Sequence, residues 1–246
     1  MTSSELWSRE AAERYDAEET GMFSAAVVGP TVDFLAGLAG DGPALEFAIG
    51  TGRVAVPLRR RGVPVTGIEL SEHMAAVLRR KVDEETLPVV IGDMATTVVP
   101  GAFTLVYLVY NTISNLLTQD EQVECFRNAA RHLLPGGRFV VELGVPPLRF
   151  LPPGQTAVPF DVSERHLGFD TIDPVAQLLV SHHFTRDGDD DHYRREASRH
   201  RYAWPAELDL MARLAGLELE RRVADWDGTP FTQESEKHIS VWRKPT

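Results

Sequence analysis

A buried strand that ends in glycines is the first feature of this sequence with chemical potential. Residues 44–49 form a short apolar run that leads through Gly50-Thr51-Gly52 directly into a helical pattern. Small residues at such a turn let the backbone approach a ligand closely, and glycine also adopts positive φ. The spacing Gly50-x-Gly52-x-x-Ala55 also fits a dinucleotide fingerprint. The loop therefore predicts a nucleoside-containing cofactor without deciding which one, and a tight turn that binds nothing is the alternative.

Acidic side chains follow the next two strand-like segments. Glu69 ends an apolar run, and its carboxylate could accept strong hydrogen bonds from both hydroxyls of an adenosine ribose. An N-cap role for Glu69 is the alternative, although Ser71 is the better placed cap. Asp93 follows a short strand and could accept from an adenine amino group, while Met94 could pack on the ring. These residues predict a site for the adenosine part of a cofactor. They do not decide which cofactor it is, because NAD enzymes use the same acidic position as Glu69.

Four further polar residues could serve the second substrate. Asn111 follows a strongly apolar strand and is predicted to bridge the cofactor and substrate sides, or else to satisfy the backbone at the strand end. Glu142 could orient an amine or remove a proton, or pair with a structural arginine. His182 and His183 lie in a predicted strand, so they point to opposite faces. One of them could act as a base, and cross-strand packing is the alternative.

Alternating strands and helices must position these side chains. Between residues 31 and 150 this spacing predicts βαβ units around a parallel sheet in a three-layer α/β sandwich. The predicted helices are 31–38, 53–61, 72–81 and 119–134, and the predicted strands are 44–49, 63–70, 88–91, 103–110 and 138–143.

The pattern changes after Pro146-Pro147. Residues 158–202 alternate as short strands with polar turns and predict an antiparallel insertion lying over the sheet. Its acidic run, residues 187–191, is predicted to be a solvated turn because no calcium-loop spacing follows it. A last helix over 205–215 then precedes two strands over 218–226 and 239–243.

In the order of its motifs the sequence resembles the class I S-adenosylmethionine-dependent methyltransferases. Residues 46–52 match their glycine loop, Glu69 their ribose-binding acid, residues 92–94 their adenine motif and residues 134–137 the turn before their fifth strand. The resemblance implies a Rossmann-like sandwich with a mostly parallel seven-stranded sheet whose last strand is antiparallel. The sequence departs at Ala48, where glycine is commoner, and we expect a mild effect because alanine is nearly as small.

The resemblance also implies the cofactor, S-adenosylmethionine, whose product is S-adenosylhomocysteine. The residues that it places at the cofactor are Tyr15, Glu46, Ala48, Gly50, Gly52, Glu69, Leu70, Met74, Asp93, Met94 and Asn111. For Met74 core packing is an equal alternative, and Tyr15 is predicted to belong to an N-terminal lid. The catalytic candidates are Glu142, His182 and His183, and no Asp/His set has metal-ligand spacing.

Loosely, the insertion is similar to the antiparallel lid of methyltransferases that modify amino sugars, peptides and other natural products. We therefore expect methyl transfer to an N or O atom of a small molecule, with an NAD(P)-dependent oxidoreductase or a non-catalytic S-adenosylmethionine-binding module as alternatives. We expect one domain, with a helical lid (1–30), a cofactor core (31–150), an insertion over the substrate site (151–203) and a C-terminal helix with strands (204–246).

Composition narrows the setting and the partners. A formal net charge of −11 over 246 residues argues against binding to nucleic acid or to an anionic membrane surface. Cys125 is the single cysteine, and the amino terminus has neither the basic start nor the apolar stretch of a signal peptide. These features predict a cytoplasmic protein without a membrane span. The exposed edges of the insertion could be paired in a homodimer.

Overall fold

The computed structural model describes residues 9–15, 21–186 and 192–246 of the chain. Its α-helices, numbered here along the described residues, are α1 (Arg9–Tyr15), α2 (Ala25–Ala39), α3 (Ala55–Arg60), α4 (Glu72–Arg79), α5 (Gln119–His132) and α6 (Pro205–Leu214). Its strands are β1 (Ala44–Phe47), β2 (Val65–Glu69), β3 (Val89–Ile91), β4 (Phe103–Leu108), β5 (Leu133–Gly144), β6 (Ala157–Val162), β7 (His166–Asp173), β8 (Leu178–Arg186), β9 (Tyr193–Arg201), β10 (Glu218–Val223) and β11 (Lys237–Arg243).

Seven strands form the central sheet, in the order β10-β11-β5-β4-β1-β2-β3. Strands β1 to β5 pair in parallel, and β11 lies antiparallel to both of its neighbours, β5 and β10. The predicted α/β fold with a mostly parallel seven-stranded sheet and an antiparallel last strand is therefore confirmed. The βαβ spacing sufficed for this because parallel neighbours require a crossover, usually a helix.

Helices cover both faces of this sheet and create two cores. Val32 and Leu35 of α2, together with Leu58 of α3, belong to the core on one face. Phe126 of α5 and Met211 of α6 belong to the core on the other face. All four β1 residues are buried, as expected for a strand covered on both sides. The result is the predicted three-layer sandwich.

Helix α5 begins with a capping box that the sequence encodes. The Oγ1 atom of Thr118 accepts a hydrogen bond from the Glu121 backbone N–H at 3.2 Å, and a Glu121 carboxylate oxygen accepts one from the Thr118 N–H at 2.9 Å. Cys125, in the same helix, is fully buried, and burial raises the pKa of its thiol. The lone thiol is therefore held in its unreactive protonated form.

The predicted boundary between α5 and β5 was wrong. The sequence predicted a helix to residue 134 and a strand from 138, whereas β5 already begins at Leu133 and includes Pro135-Gly136-Gly137. The strand includes the turn residues because the C-terminal segment hydrogen-bonds to them, although Gly136 keeps a turn-like φ of 79° and the pairing with β4 passes from Leu133 directly to Arg138. The Gly136 N–H donates to the Lys244 carbonyl, and the Lys244 N–H donates to the Gly137 carbonyl, both at 2.8 Å.

Two other boundaries differ from the prediction by three residues or more. Helix α2 begins at Ala25 rather than residue 31, because Pro30 lies within its first turns and does not stop it. Strand β10 ends at Val223 rather than residue 226, and a bridge to Pro230 follows its pairing with β11. Neither difference moves a predicted site residue.

A second sheet contains β6, β7, β8 and β9, all antiparallel to their neighbours. The predicted antiparallel insertion is thus present as a separate sheet, and its predicted acidic turn (187–191) lies outside the described residues. Arg201, the last residue of β9, is buried and bonds to Gln122 of α5, Glu207 of α6 and Gln177. This buried cluster ties the insertion to the core. In the described part of the chain, no helix combines the length and apolar character needed to cross a membrane.

Candidate active site

A cavity of about 410 Å³ opens at the carboxyl ends of the parallel strands. Its walls are the loop after β1, the end of β2 and the loops after β3 and β4, which is where open α/β sheets bind ligands. Most of the predicted cofactor residues line it, namely Tyr15, Glu46, Ala48, Gly50, Glu69, Leu70, Met74, Asp93 and Met94. The motifs read from sequence therefore meet in one place.

The glycine loop brings backbone to the cavity wall by using left-handed conformations. Gly50 has φ 58° and Ala48 has φ 51°. The expectation of a mild effect at position 48 considered only the small side chain of alanine and not this backbone conformation. A non-glycine residue in the left-handed region carries a steric cost of about 1–2 kcal/mol. The departure from glycine at Ala48 thus strains the backbone of the loop.

Replacing Ala48 with glycine should stabilise the protein. Relief of the left-handed strain outweighs the extra entropy that glycine gives the unfolded chain, which leaves a net gain of about 0.5–1 kcal/mol. Urea denaturation of Ala48→Gly measures the change. The matched control is Ala36→Gly inside α2, where glycine should destabilise by about 0.5–1 kcal/mol. A lower stability of Ala48→Gly would contradict the strain.

The carboxylate of Glu69 is fixed by two backbone N–H groups. One oxygen accepts from Gly50 at 2.7 Å and the other from Ser71 at 2.8 Å. Glu69 is buried, and this burial raises the pKa of its carboxyl although both N–H groups act in the opposite direction. Ser71 caps α4 by accepting from the Met74 N–H, so the alternative N-cap role of Glu69 is not used. Each carboxylate oxygen keeps a second lone pair for a ligand.

Glu46 is buried and lines the cavity. Its carboxyl accepts a hydrogen bond from the Tyr107 hydroxyl at 2.8 Å. Burial raises the pKa of Glu46 to about 8, while the Tyr107 hydrogen bond and the Arg53 guanidinium act against the rise. The carboxyl is therefore mainly protonated at pH 7 and can become charged when a cation binds beside it.

Asp93 and Met94 form one wall of the cavity. A carboxylate oxygen of Asp93 accepts from the Ala95 N–H at 2.7 Å, which fixes the side chain and leaves the second oxygen for a ligand. Met74 lines the cavity and also packs with Val77 and Tyr15, which is the core-packing alternative, and its contact with the cofactor stays a prediction. Residue 15 reaches the cavity from α1, and the rest of the predicted lid lies partly outside the described residues.

Two predicted cofactor residues do not line the cavity. Gly52 has φ 82°, and a β-carbon there would lie 2.4 Å from Leu78 and 2.9 Å from Val56. Its role is close packing of the loop on the helices. The Oδ1 atom of Asn111 accepts from the Gly144 N–H at 2.6 Å, which corresponds to the alternative of a strand-end backbone partner.

The three catalytic candidates also lie outside the cavity lining. The Glu142 carboxylate accepts from the Tyr110 N–H at 2.9 Å and from the Trp226 indole N–H at 3.1 Å. Glu142 therefore supports the loop that carries Tyr110, because its two oxygens already hold structural groups. His182 stacks on Phe169 with ring centroids 4.8 Å apart, and His183 lies on the opposite face of β8.

Sequence reasoning missed several lining residues, of which Arg53 is the most informative. Its guanidinium lies 5.0 Å from the ring centroid of Tyr110 and donates to the Met22 carbonyl at 3.1 Å. Among the described lining residues it is the one cation. A basic residue directly after the Gly50-x-Gly52 turn was the available signal. Glu121 also lines the cavity, and its capping-box spacing after Thr118 was readable.

A family model described as a methyltransferase domain matches residues 44–137. The solved structure of the CcbJ methyltransferase from Streptomyces caelestis is 38% identical, with a TM-score of 0.79 over 88% of this chain and 89% of that one. The cypemycin N-terminal methyltransferase of a Streptomyces species is 26% identical over 80% of this chain and 81% of its own length.

A third relative matches a shorter stretch of 98 residues. It is a dTDP-4-amino-2,3,4,6-tetradeoxy-D-glucose N,N-dimethyltransferase from Saccharopolyspora spinosa, 35% identical over 40% of this chain and 39% of its own length. The structural match covers nearly the whole chain at an identity well above that of a shared fold alone. Together with the sheet order and the strand-end cavity, it establishes that this chain belongs to the class I S-adenosylmethionine-dependent methyltransferases.

Proposed function

We propose that this methyltransferase transfers the methyl group of S-adenosylmethionine to an amine nitrogen of a small natural-product acceptor. The observation that carries the cofactor half is the buried Glu69 carboxylate, held by the Gly50 and Ser71 N–H groups at the carboxyl end of β2. Both oxygens can accept one further hydrogen bond, which fits the two hydroxyls of a ribose. S-adenosylmethionine supplies an activated methyl group on a sulfonium when it is bound.

The remaining lining residues fit the other parts of the cofactor. Asp93 is suited to accept from an adenine amino group, and Met94 to pack on the ring. Arg53 is the cation suited to a carboxylate, and Glu46 is suited to an ammonium group, whose positive charge would favour ionisation of its carboxyl. These residues bind and orient; alignment of this kind can lower a bimolecular barrier by about 7–11 kcal/mol.

An amine acceptor is favoured over a hydroxyl by the named activities of the relatives. The cypemycin enzyme acts on an N-terminus and the Saccharopolyspora spinosa enzyme on the nitrogen of a dTDP-linked amino sugar, as their names state. Both acceptors are amines outside the nucleic-acid and membrane classes. The matched family and the named relatives are methyltransferases, which favours a methyltransferase over a nicotinamide-dependent enzyme.

Calorimetry and a labelled methyl donor test this proposal together. We expect S-adenosylhomocysteine to bind and NAD not to bind. With methyl-labelled S-adenosylmethionine, we expect transfer to a dTDP-linked amino sugar or to a peptide with a free N-terminus. The matched sugar and peptide, with hydroxyl in place of amine, should remain unlabelled. Transfer to the hydroxyl compounds alone would contradict the amine assignment, and NAD binding without S-adenosylhomocysteine binding would contradict the cofactor site.

A further inference from the structure

An amine acceptor creates a proton problem that the cavity residues do not solve. Alkyl amines have pKa values of about 8–10, so they are mainly ammonium ions without a free electron pair at pH 7. A nearby neutral base could take the surplus proton before transfer. Because this question arises only for an amine acceptor, the inference below rests on the proposed function.

The insertion sheet contains a chain of three hydrogen-bonded side chains that suits this task. Asp161 Oδ2 lies 2.6 Å from His166 Nδ1, and His166 Nε2 lies 3.0 Å from His183 Nδ1. The two imidazole rings are 5.2 Å apart at their centroids. Carboxylate, first imidazole and second imidazole therefore form a continuous relay.

The direction of the hydrogen bonds fixes where a proton can enter the relay. Since a carboxylate only accepts, His166 must donate from Nδ1, and its Nε2 is then the acceptor. His183 consequently donates from Nδ1, which leaves the lone pair of its Nε2 available. Within the described residues, this Nε2 makes no hydrogen bond and is not among the fully buried polar atoms. It is a free basic nitrogen with access to solvent.

The face of the sheet that carries His183 reaches the rim of the cavity. His183 pairs with Glu196 and Leu179 pairs with His200 across β8 and β9, so His183 and His200 share one face. His200 Nδ1 lies 3.4 Å from the Ser114 hydroxyl. Ser114 belongs to a short 3-10 helix, residues 112–115, whose Thr112 and Asn115 line the cavity.

Burial and the neighbouring histidines favour the neutral form of the His183 imidazole, which is the form that has an electron pair for a proton. Burial, followed by His166 and His182, lowers the pKa of His183, while Asp170 and Glu196 act in the opposite direction. Asp170 on β7 and Glu196 on β9 supply negative charge for an imidazolium once it forms. His182 lies on the other face of β8, where its Nε2 is hydrogen-bonded to Thr171 at 3.0 Å.

We propose that His183 Nε2 is the catalytic base that deprotonates the acceptor ammonium, and that His166 and Asp161 are positioning residues that hold His183 in the reactive tautomer. In this step an ammonium N–H bond breaks, its electron pair stays on the acceptor nitrogen, and a new N–H bond forms at His183 Nε2. One proton moves and no oxidant or further reactant is needed. The acceptor side of the site is thus the histidine-bearing face of the insertion.

The test compares His183→Gln with the matched control His182→Gln from the opposite face of the same strand. Using the dTDP-linked amino sugar, we expect His183→Gln to lose about 100-fold in kcat/KM at pH 7. The deficit should shrink as the pH rises past the pKa of the acceptor amine, because the free amine needs no base. His182→Gln should follow the wild type throughout, and calorimetry should give all variants the same affinity for S-adenosylhomocysteine.

The positioning residues have a separate readout that does not depend on turnover. Nitrogen-15 NMR of the imidazole groups should find His183 as the Nδ1–H tautomer at pH 7, and Asp161→Asn should disturb this state. A wild-type rate for His183→Gln at pH 7, a deficit that is independent of pH, or an Nε2–H tautomer would each overturn the proposal. If the wild type itself methylates no amine, the proposed function fails instead.

Discussion

Replacing Glu69 with alanine is expected to weaken S-adenosylhomocysteine binding by about 1.5–3 kcal/mol, or about 10–150-fold in Kd. The carboxylate is suited to hydrogen-bond both ribose hydroxyls, and hydrogen bonds to charged groups are the stronger ones. The change also leaves the N–H groups of Gly50 and Ser71 without their buried acceptor, which distorts the cavity wall. Both effects act in the same direction.

Calorimetric titration of Glu69→Ala measures the loss. The matched control is Glu72→Ala, which removes an exposed carboxylate three residues away in the first turn of α4. We expect the control to bind like the wild type. Two unsatisfied N–H groups also lower the stability of Glu69→Ala, so the titration belongs well below its melting temperature, with far-ultraviolet circular dichroism confirming a native fold. An unchanged Kd would remove Glu69 from the cofactor site.

Replacing Glu207 with alanine should have the largest effect on stability, about 3 kcal/mol. Its carboxylate lies 2.7 Å from the Arg201 guanidinium, whose side chain is 6% exposed. Breaking a buried pair by removing one partner typically costs 3–5 kcal/mol because a charge stays behind in the interior. We choose the lower end because Gln122 and Gln177 still accept from Arg201. Chemical denaturation measures the change.

A double variant separates the buried charge from lost packing. Arg201→Met combined with Glu207→Leu removes both charges and keeps apolar volume, so it should recover much of the lost stability. Equal losses in the single and double variants would contradict the explanation. Neither Arg201 nor Glu207 lines the cofactor cavity, so S-adenosylhomocysteine should bind the folded single variant with unchanged affinity.

Loss of the ion pair between Arg201 and Glu207 should make the folded protein less stable at acid pH. Burial tends to raise the pKa of Glu207, but hydrogen bonds from Arg201, Gln177 and Gln119 outweigh it and leave the pKa below its usual value of 4.5. The stabilisation is therefore complete above the unfolded-state value and is lost as the pH falls through the lower folded value. Glu207→Ala should lack this component of the acid-induced loss.

Most of the residues that local signals predicted for the cofactor line one cavity, because they lie at strand ends. The glycine loop, Glu69 and Asp93 each follow an apolar strand directly, and parallel strands bring their carboxyl ends to one edge. Gly52 and Asn111 follow strands too, yet they point into packing or onto backbone. The direction in which a turn residue faces depends on its φ and on its tertiary neighbours, and the spacing of motif residues in the sequence encodes neither.

The acceptor half needed three-dimensional information. Alternation placed His182 and His183 on opposite faces but could not say which face meets the core, because that depends on how the second sheet docks. The relay through His166 and Asp161 joins residues from two other strands, so only the strand register reveals it. The structural contacts of Glu142 could not be predicted because its partners, Tyr110 and Trp226, are 32 and 84 residues away in the chain.

The burial of Cys125 makes this protein convenient for site-specific labelling. Maleimide and disulfide reagents need an accessible thiolate, and the one natural thiol is enclosed in α5 with its pKa raised. A cysteine introduced by Val175→Cys, at a turn between β7 and β8 where the side chain is 94% exposed, would then be the single reactive handle. A fluorophore attached there would report movement of the insertion during turnover, with no natural cysteine to remove first.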